Sequence, residues 1–148
     1  MSKTVRSITA SANQYDGEKI VRLNDKDYPM RVNMGVIAKF QTETGHDYML
    51  CAVKAMNAMR KAGVLESAID QAEVMTEAVP MFDAAWFFYL AAKELDSTVT
   101  FEEIQEAVLL EGPLRQIRGD GVSQSYPVLF ADLAMFSILG ASDTAKKH

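Results

Sequence analysis

The spacing of apolar residues changes along this chain, and each change predicts an element. Met1 to Asp16 is polar, without alternating or helical spacing, and reads as a mobile arm. Lys19-Ile20-Val21-Arg22-Leu23 then alternates charged and apolar residues, and Tyr28-Pro29-Met30-Arg31-Val32 resumes the alternation. Asn24-Asp25-Lys26 between them carries turn chemistry, because Asn and Asp tolerate left-handed backbone angles and bond their own main chain. Together these predict a β-hairpin. Pro29 has no N–H for a ladder, so its strand is expected at an edge or to be brief. A hairpin this small needs helices packed on one face.

From Asn33 onward the spacing is helical. Asn33 can cap a first helix in which Met34, Ile37 and Phe40 recur every third position, and Gly45 ends it through a left-handed turn. A second helix runs from about Asp47 to Ala62 and stops at Gly63, and a third runs from Leu65 to Val79 and is stopped by Pro80. The fourth, about Phe82 to Leu95, is apolar on every side, which predicts the centre of a bundle built around Trp86 to Ala92. Thr100 and Glu103 form a capping box for a fifth, with Phe101, Ile104 and Val108 on one face, and Glu111-Gly112-Pro113 breaks it. Leu114 to Ser125 reads as a loop or short helix. Pro127 opens a last helix carrying Val128, Leu129, Phe130, Leu133, Phe136 and Leu139, closed by Gly140. The expected fold is mainly α: a bundle of five to six helices with a short N-terminal β-hairpin. It is a single domain over 17–140, with a loose end at 141–148.

Composition and charge then narrow the function classes. The chain is 49% hydrophobic and 24% charged with 4 Pro and 8 Gly, an ordinary balance for a folded domain. One cysteine, Cys51, forms no internal disulfide. Met1 to Gln14 lacks the apolar core of a signal peptide, and Met81 to Ala92 is too short to span a membrane, so a cytosolic protein is expected. The net charge of −5 is unevenly spread. Met1 to Gly63 holds ten Lys/Arg against six Asp/Glu, whereas Val64 to Gly112 holds eleven Asp/Glu against the single Lys93. No cluster of basic residues exists to displace counterions from phosphates, which argues against a nucleic-acid partner.

Candidate chemistry is sparse. His46 follows a helix-ending glycine, and no Cys or His stands at metal-ligand spacing from it. Cys51 lies in an apolar helix and reads as a small buried hydrophobe. Arg118-Gly119-Asp120 spells an adhesion tripeptide, but in a chain expected to be intracellular the overlapping Gly119-Asp120-Gly121 reads as turn residues, and it lacks the third glycine of a dinucleotide fingerprint. No acid is paired with a distinct base, so no catalytic residues, metal or cofactor are expected, and the chain reads as a non-enzyme.

Two features are more informative. On the second helix Lys54, Asn57 and Lys61 form one narrow polar stripe, while Met49, Ala52, Val53, Met56, Ala58 and Met59 cover most of the rest. That surplus is explained by deep burial or by contact with another chain. Unbranched Met, of which the chain holds 9, repacks readily against varied partners. On the third helix Glu66, Asp70, Glu73 and Glu77 share one face at spacings that cost a few tenths of a kcal/mol per like-charged pair. This stripe serves solvation or the docking of a basic partner.

The run Val21-Arg22-Leu23-Asn24-Asp25-Lys26-Asp27-Tyr28-Pro29-Met30-Arg31, followed by Phe40-Gln41-Thr42-Glu43-Thr44-Gly45, resembles the opening of tail assembly chaperones of long-tailed bacteriophages. Those proteins often begin with a short hairpin of the form leucine–asparagine–small–charged–aromatic, then a helix ending in Glu-x-Thr-Gly. The resemblance covers about 25 residues. It implies a non-enzymatic helper of tail morphogenesis in the host cytoplasm, absent from the finished virion. Such a helper binds the tape measure protein and aids assembly of tail tube subunits around it. On this reading the partner-binding residues are Met49, Met56 and Met59 with Phe40 beside them, and self-association is a further expectation. The resemblance also implies a longer product made by ribosomal slippage, for which Ala145-Lys146-Lys147 is the candidate site. A structural tail completion or head–tail joining protein, retained in the particle, is the alternative. A small helical hydrolase using carboxylates of the acidic middle is a third reading.

Overall fold

A computed structural model describes residues 18–114, 116–118 and 121–140. The expected arm at 1–16, the expected end at 141–148 and the candidate slippage site therefore lie outside the described residues. Strand β1 (Glu18–Leu23) pairs antiparallel with β2 (Lys26–Arg31), and Leu23 stands opposite Lys26. The turn is the two residues Asn24 and Asp25, with φ of 50° and 66°. That left-handed pair twists the strands in the sense a two-residue hairpin needs, and Asn-Asp reaches it at low steric cost. Val21, Leu23, Tyr28 and Met30 face inward, while Pro29 sits opposite Ile20 on the exposed face.

Five helices follow, then a short second hairpin and a sixth helix. Helix α1 (Met34–Thr44) is capped by Asn33, whose side chain accepts from the Val36 N–H, and Gly45 closes it at φ 74°. Its buried positions are Val36 and Phe40, one turn apart, and Met34 points to solvent, so the inward row is shifted from the one the every-third spacing predicts. Helix α2 (Tyr48–Ala62) is capped by Asp47. Helix α3 (Ala68–Ala78) starts later than expected because Ser67 caps it, accepting from the Asp70 N–H. Glu66 therefore stands ahead of the helix.

Helix α4 (Met81–Lys93) packs against β2, α1, α5 (Phe101–Glu111) and α6 (Tyr126–Met135), the central position its composition predicts. One side departs from that prediction: Phe82 is exposed and Trp86 and Tyr89 are half-buried. Phe40 lies at the heart of the core, its ring 5.6 Å from Phe87, 6.1 Å from Tyr48 and 6.4 Å from Phe130. Thr100 caps α5 by accepting from the Glu103 N–H. The Glu103 carboxylate accepts instead from Lys26 Nζ and the Tyr28 hydroxyl, at 2.9 and 2.7 Å, so it ties the hairpin to α5. At the other end of α5 the buried Glu111 carboxylate accepts from the Asn24 N–H at 2.6 Å and holds the turn.

Between α5 and α6 the structure has two three-residue strands, β3 (Gln116–Arg118) and β4 (Gly121–Ser123), where a loop or short helix was expected. Three residues per strand is too short for alternation to stand out from a loop. Gly119 and Asp120, read as turn residues, lie outside the described residues. Helix α6 continues into a π-helical turn at Phe136–Gly140.

Candidate functional site

Helix α2 meets the rest of the protein through a row of small residues. Ala52, Ala55 and Ala58 are buried with Tyr48, which lets α2 approach α3 and α6 closely. Cys51 packs beside this row, half-buried. The opposite side of the helix is left uncovered: Met49 is 50% exposed, Leu50 51% and Val53 42%, with Met56 half-buried along the same edge. Arg60 stands at the C-terminal end of this edge. The apolar surplus of α2 is thus divided between the interior and one outward row.

The four residues expected to form the partner face are not one face. Met49 and Met56 share the outward row. Met59 packs toward the core and lines a groove of about 280 Å³ together with Met75, Gln71 and Val128. Phe40 is fully buried, at 0% exposure, and cannot touch a partner without unfolding α1. Its ring packs inward on Tyr48, Phe87 and Phe130, so it lies beneath α2 and not beside the outward methionines. Leu50 and Val53, not among the four, complete the row.

The polar stripe of α2 has a definite neighbour. Lys54, Asn57 and Lys61 line an open groove of about 340 Å³ with Val74, Glu77 and Ala78 of α3. Glu66, Asp70, Glu73 and Glu77 are all exposed, and none is in an ion pair with another described residue.

Chain folding also joins groups that the sequence separates. His46 Nδ1 and Asp83 Oδ2 lie 2.7 Å apart, linking the α1–α2 connection to the first turn of α4. The Asp83 carboxyl is nearly enclosed while the imidazole is half exposed. Cys51, Lys54 and Glu77 line the same cavity of about 290 Å³. An acid is therefore paired with a distinct base, contrary to the sequence reading, and a thiol stands near both. The chemistry it offers is limited. Burial pushes the Cys51 thiol up from its ordinary range, and the Asp83 charge pushes it the same way, so the nucleophilic thiolate is suppressed. Among the described residues no group of three His, Cys, Asp or Glu side chains is gathered as a metal site. The pair acts as a strut. His46→Ala leaves the Asp83 carboxylate without its imidazole and is expected to cost about 1 kcal/mol, moderated by the exposure of the ring. A double-mutant cycle with Asp83→Asn, read by urea denaturation, measures the coupling.

Among the described residues no helix is long and apolar enough to cross a membrane. No family model matches the chain, no curated protein matches it, and no solved structure matches it.

Proposed function

We propose that this chain is a non-enzymatic assembly chaperone of a long-tailed bacteriophage. It binds the tape measure protein in the host cytoplasm and aids tail tube assembly. The observation that carries the reading is the outward row of Met49, Leu50, Val53 and Met56 on a capped helix anchored to the fold by Tyr48, Ala52, Ala55 and Ala58. Neighbouring exposed apolar side chains on a domain surface mark a contact site for another chain. Flexible, unbranched Met suits a client whose segments vary. The net charge of −5 keeps the carrier soluble while such a client is held. The resemblance of Val21–Arg31 and Phe40–Gly45 to tail assembly chaperones names the client class.

The test is binding of the purified chain to a tape measure protein. Met49→Asp together with Val53→Asp is expected to weaken binding by tenfold or more, since anchor residues at an interface each contribute on the order of 1–2 kcal/mol. Both positions face solvent, so far-UV circular dichroism stays unchanged. Binding unaffected by the pair, or a chain retained in purified virions by mass spectrometry, defeats the proposal. Retention in the virion is the outcome that a tail completion or head–tail joining protein would give. Measurable divalent-metal binding by calorimetry, with hydrolytic activity, would instead favour the small helical hydrolase.

A further inference from the structure

A second uncovered surface lies on α4 and α5, within the acidic stretch of the chain. Phe82, Trp86 and Tyr89 recur along one face of α4, and Phe101 of α5 closes against them. The Phe82 and Trp86 rings are stacked, with centroids 6.1 Å apart and planes 11° apart. The Phe101 ring stands 4.9 Å from Trp86 and 5.8 Å from Tyr89. Phe82 is 51% exposed and the other three rings are half-buried, so the cluster forms a plate open to solvent along one side. Four residues per step along α5, the row from Phe101 passes Gln105 and reaches Leu109, 61% exposed. The Trp86 indole N–H is buried and has no acceptor among the described residues, which is unusual for an aromatic group kept only for packing.

Charge decides what the plate accepts. Residues 81–111 hold seven Asp/Glu and one Lys. Glu102 and Glu106, beside the Phe101–Leu109 row on the outer side of α5, are exposed and in no ion pair with a described residue. The lone Lys93 donates to the Tyr89 hydroxyl at 3.0 Å, at the edge of the plate, and so leaves the acidic rim without a cation of its own. Among the described residues no cation covers Phe82 or Trp86. We propose that the plate of Phe82, Trp86, Tyr89 and Phe101, with Glu102 and Glu106 at its rim, is a docking site for a basic amphipathic helix of a partner protein. The partner lays apolar side chains on the rings and sets Lys or Arg against the two carboxylates. A second copy of this chain, face to face, would bring Glu102 and Glu106 against themselves. The chain's own cationic helix face is turned elsewhere, with Lys54 and Lys61 lining the groove beside Glu77. This inference does not rest on the tail-assembly reading, since it uses neither the α2 row nor the resemblance.

Trp86 is the only tryptophan and reports directly on the site. The probes are a Leu/Lys peptide of about 18 residues with helical spacing and its Leu/Glu counterpart, titrated into the full chain. The Leu/Lys peptide is expected to shift Trp86 emission and to bind at least tenfold more tightly than the Leu/Glu peptide. Glu102→Lys with Glu106→Lys is expected to weaken it about tenfold, as is Phe82→Ala. Glu73→Lys with Glu77→Lys, on α3, leaves binding unchanged. Equal binding of both peptides, an α3 reversal as damaging as the α5 reversal, or a silent Trp86 overturns the proposal. So does a concentration-dependent dimer that occludes Trp86 in the protein alone. Loss of peptide binding on Met49→Asp with Val53→Asp, but not on Phe82→Ala, would move the site to α2 and leave the proposed function standing.

Discussion

Phe40→Ala is expected to remove most of the stability of the fold, by about 3–5 kcal/mol. The ring is wholly buried, and it contacts Tyr48 from α2, Phe87 from α4 and Phe130 from α6, three separate helices. Truncation to alanine loses the burial of the ring and leaves a cavity that three helices, each anchored elsewhere, cannot close. Against a typical total of about 5–15 kcal/mol, such a loss leaves a marginal protein. Urea denaturation should show a lowered midpoint with an unchanged slope, because the same surface is exposed on unfolding. Phe40→Leu keeps most of the volume and should cost about 1.5 kcal/mol or less. A loss below about 0.5 kcal/mol for the alanine variant would mean that the ring is on the surface after all, as a partner-binding role requires.

The contrast between Phe40 and Met49 shows which parts of the molecule are legible in the sequence. Local hydrogen-bond rules predict the caps at Asn33 and Thr100 and the left-handed Gly45, because each acts within three or four residues. Alternation predicted the inward face of the first hairpin for the same reason. The Ser67 cap is hidden in the sequence because Leu65, two residues earlier, already satisfies the apolar spacing. Depth is a different matter. Phe40 and Met49 are both apolar residues on amphipathic helices, and only the arrangement of α4 and α6 buries the first and spares the second. The aromatic plate illustrates the same limit: a helix apolar on every side reads as fully enclosed, yet among the described residues Phe82 is left exposed. The His46–Asp83 pair spans 37 residues and the Asn24–Glu111 bond 87, so no periodicity encodes either.

Raising the pH is expected to unfold the protein through its buried phenols. Burial raises Tyr28, Tyr48 and Tyr126 above the ordinary tyrosine value of 10.0, and Tyr48 is pushed up to about 12. At Tyr28 the Glu103 carboxylate, which accepts its hydroxyl hydrogen, adds to the effect. At Tyr48 the hydrogen bond with Ser137 pulls the other way without offsetting burial. The fold therefore binds these protons more tightly than the open chain does. Their contribution is complete below pH 10 and is lost as pH rises from about 10 toward 12, because only the unfolded chain ionises readily in that window. For Tyr48 the loss by the top of the window is about 2 kcal/mol. The Cys51 thiol, raised by burial from 9.0, adds a loss of the same sign starting lower. Urea midpoints taken from about pH 8 to about pH 11 should fall for the natural chain and fall less for Tyr48→Phe, which has no proton to release. The phenylalanine variant starts lower, having lost the Ser137 bond, so the two curves approach each other as pH rises. Parallel curves would show that the Tyr48 phenol is open to water, and with it the junction of α1, α2 and α4 on which the outward row of α2 is mounted.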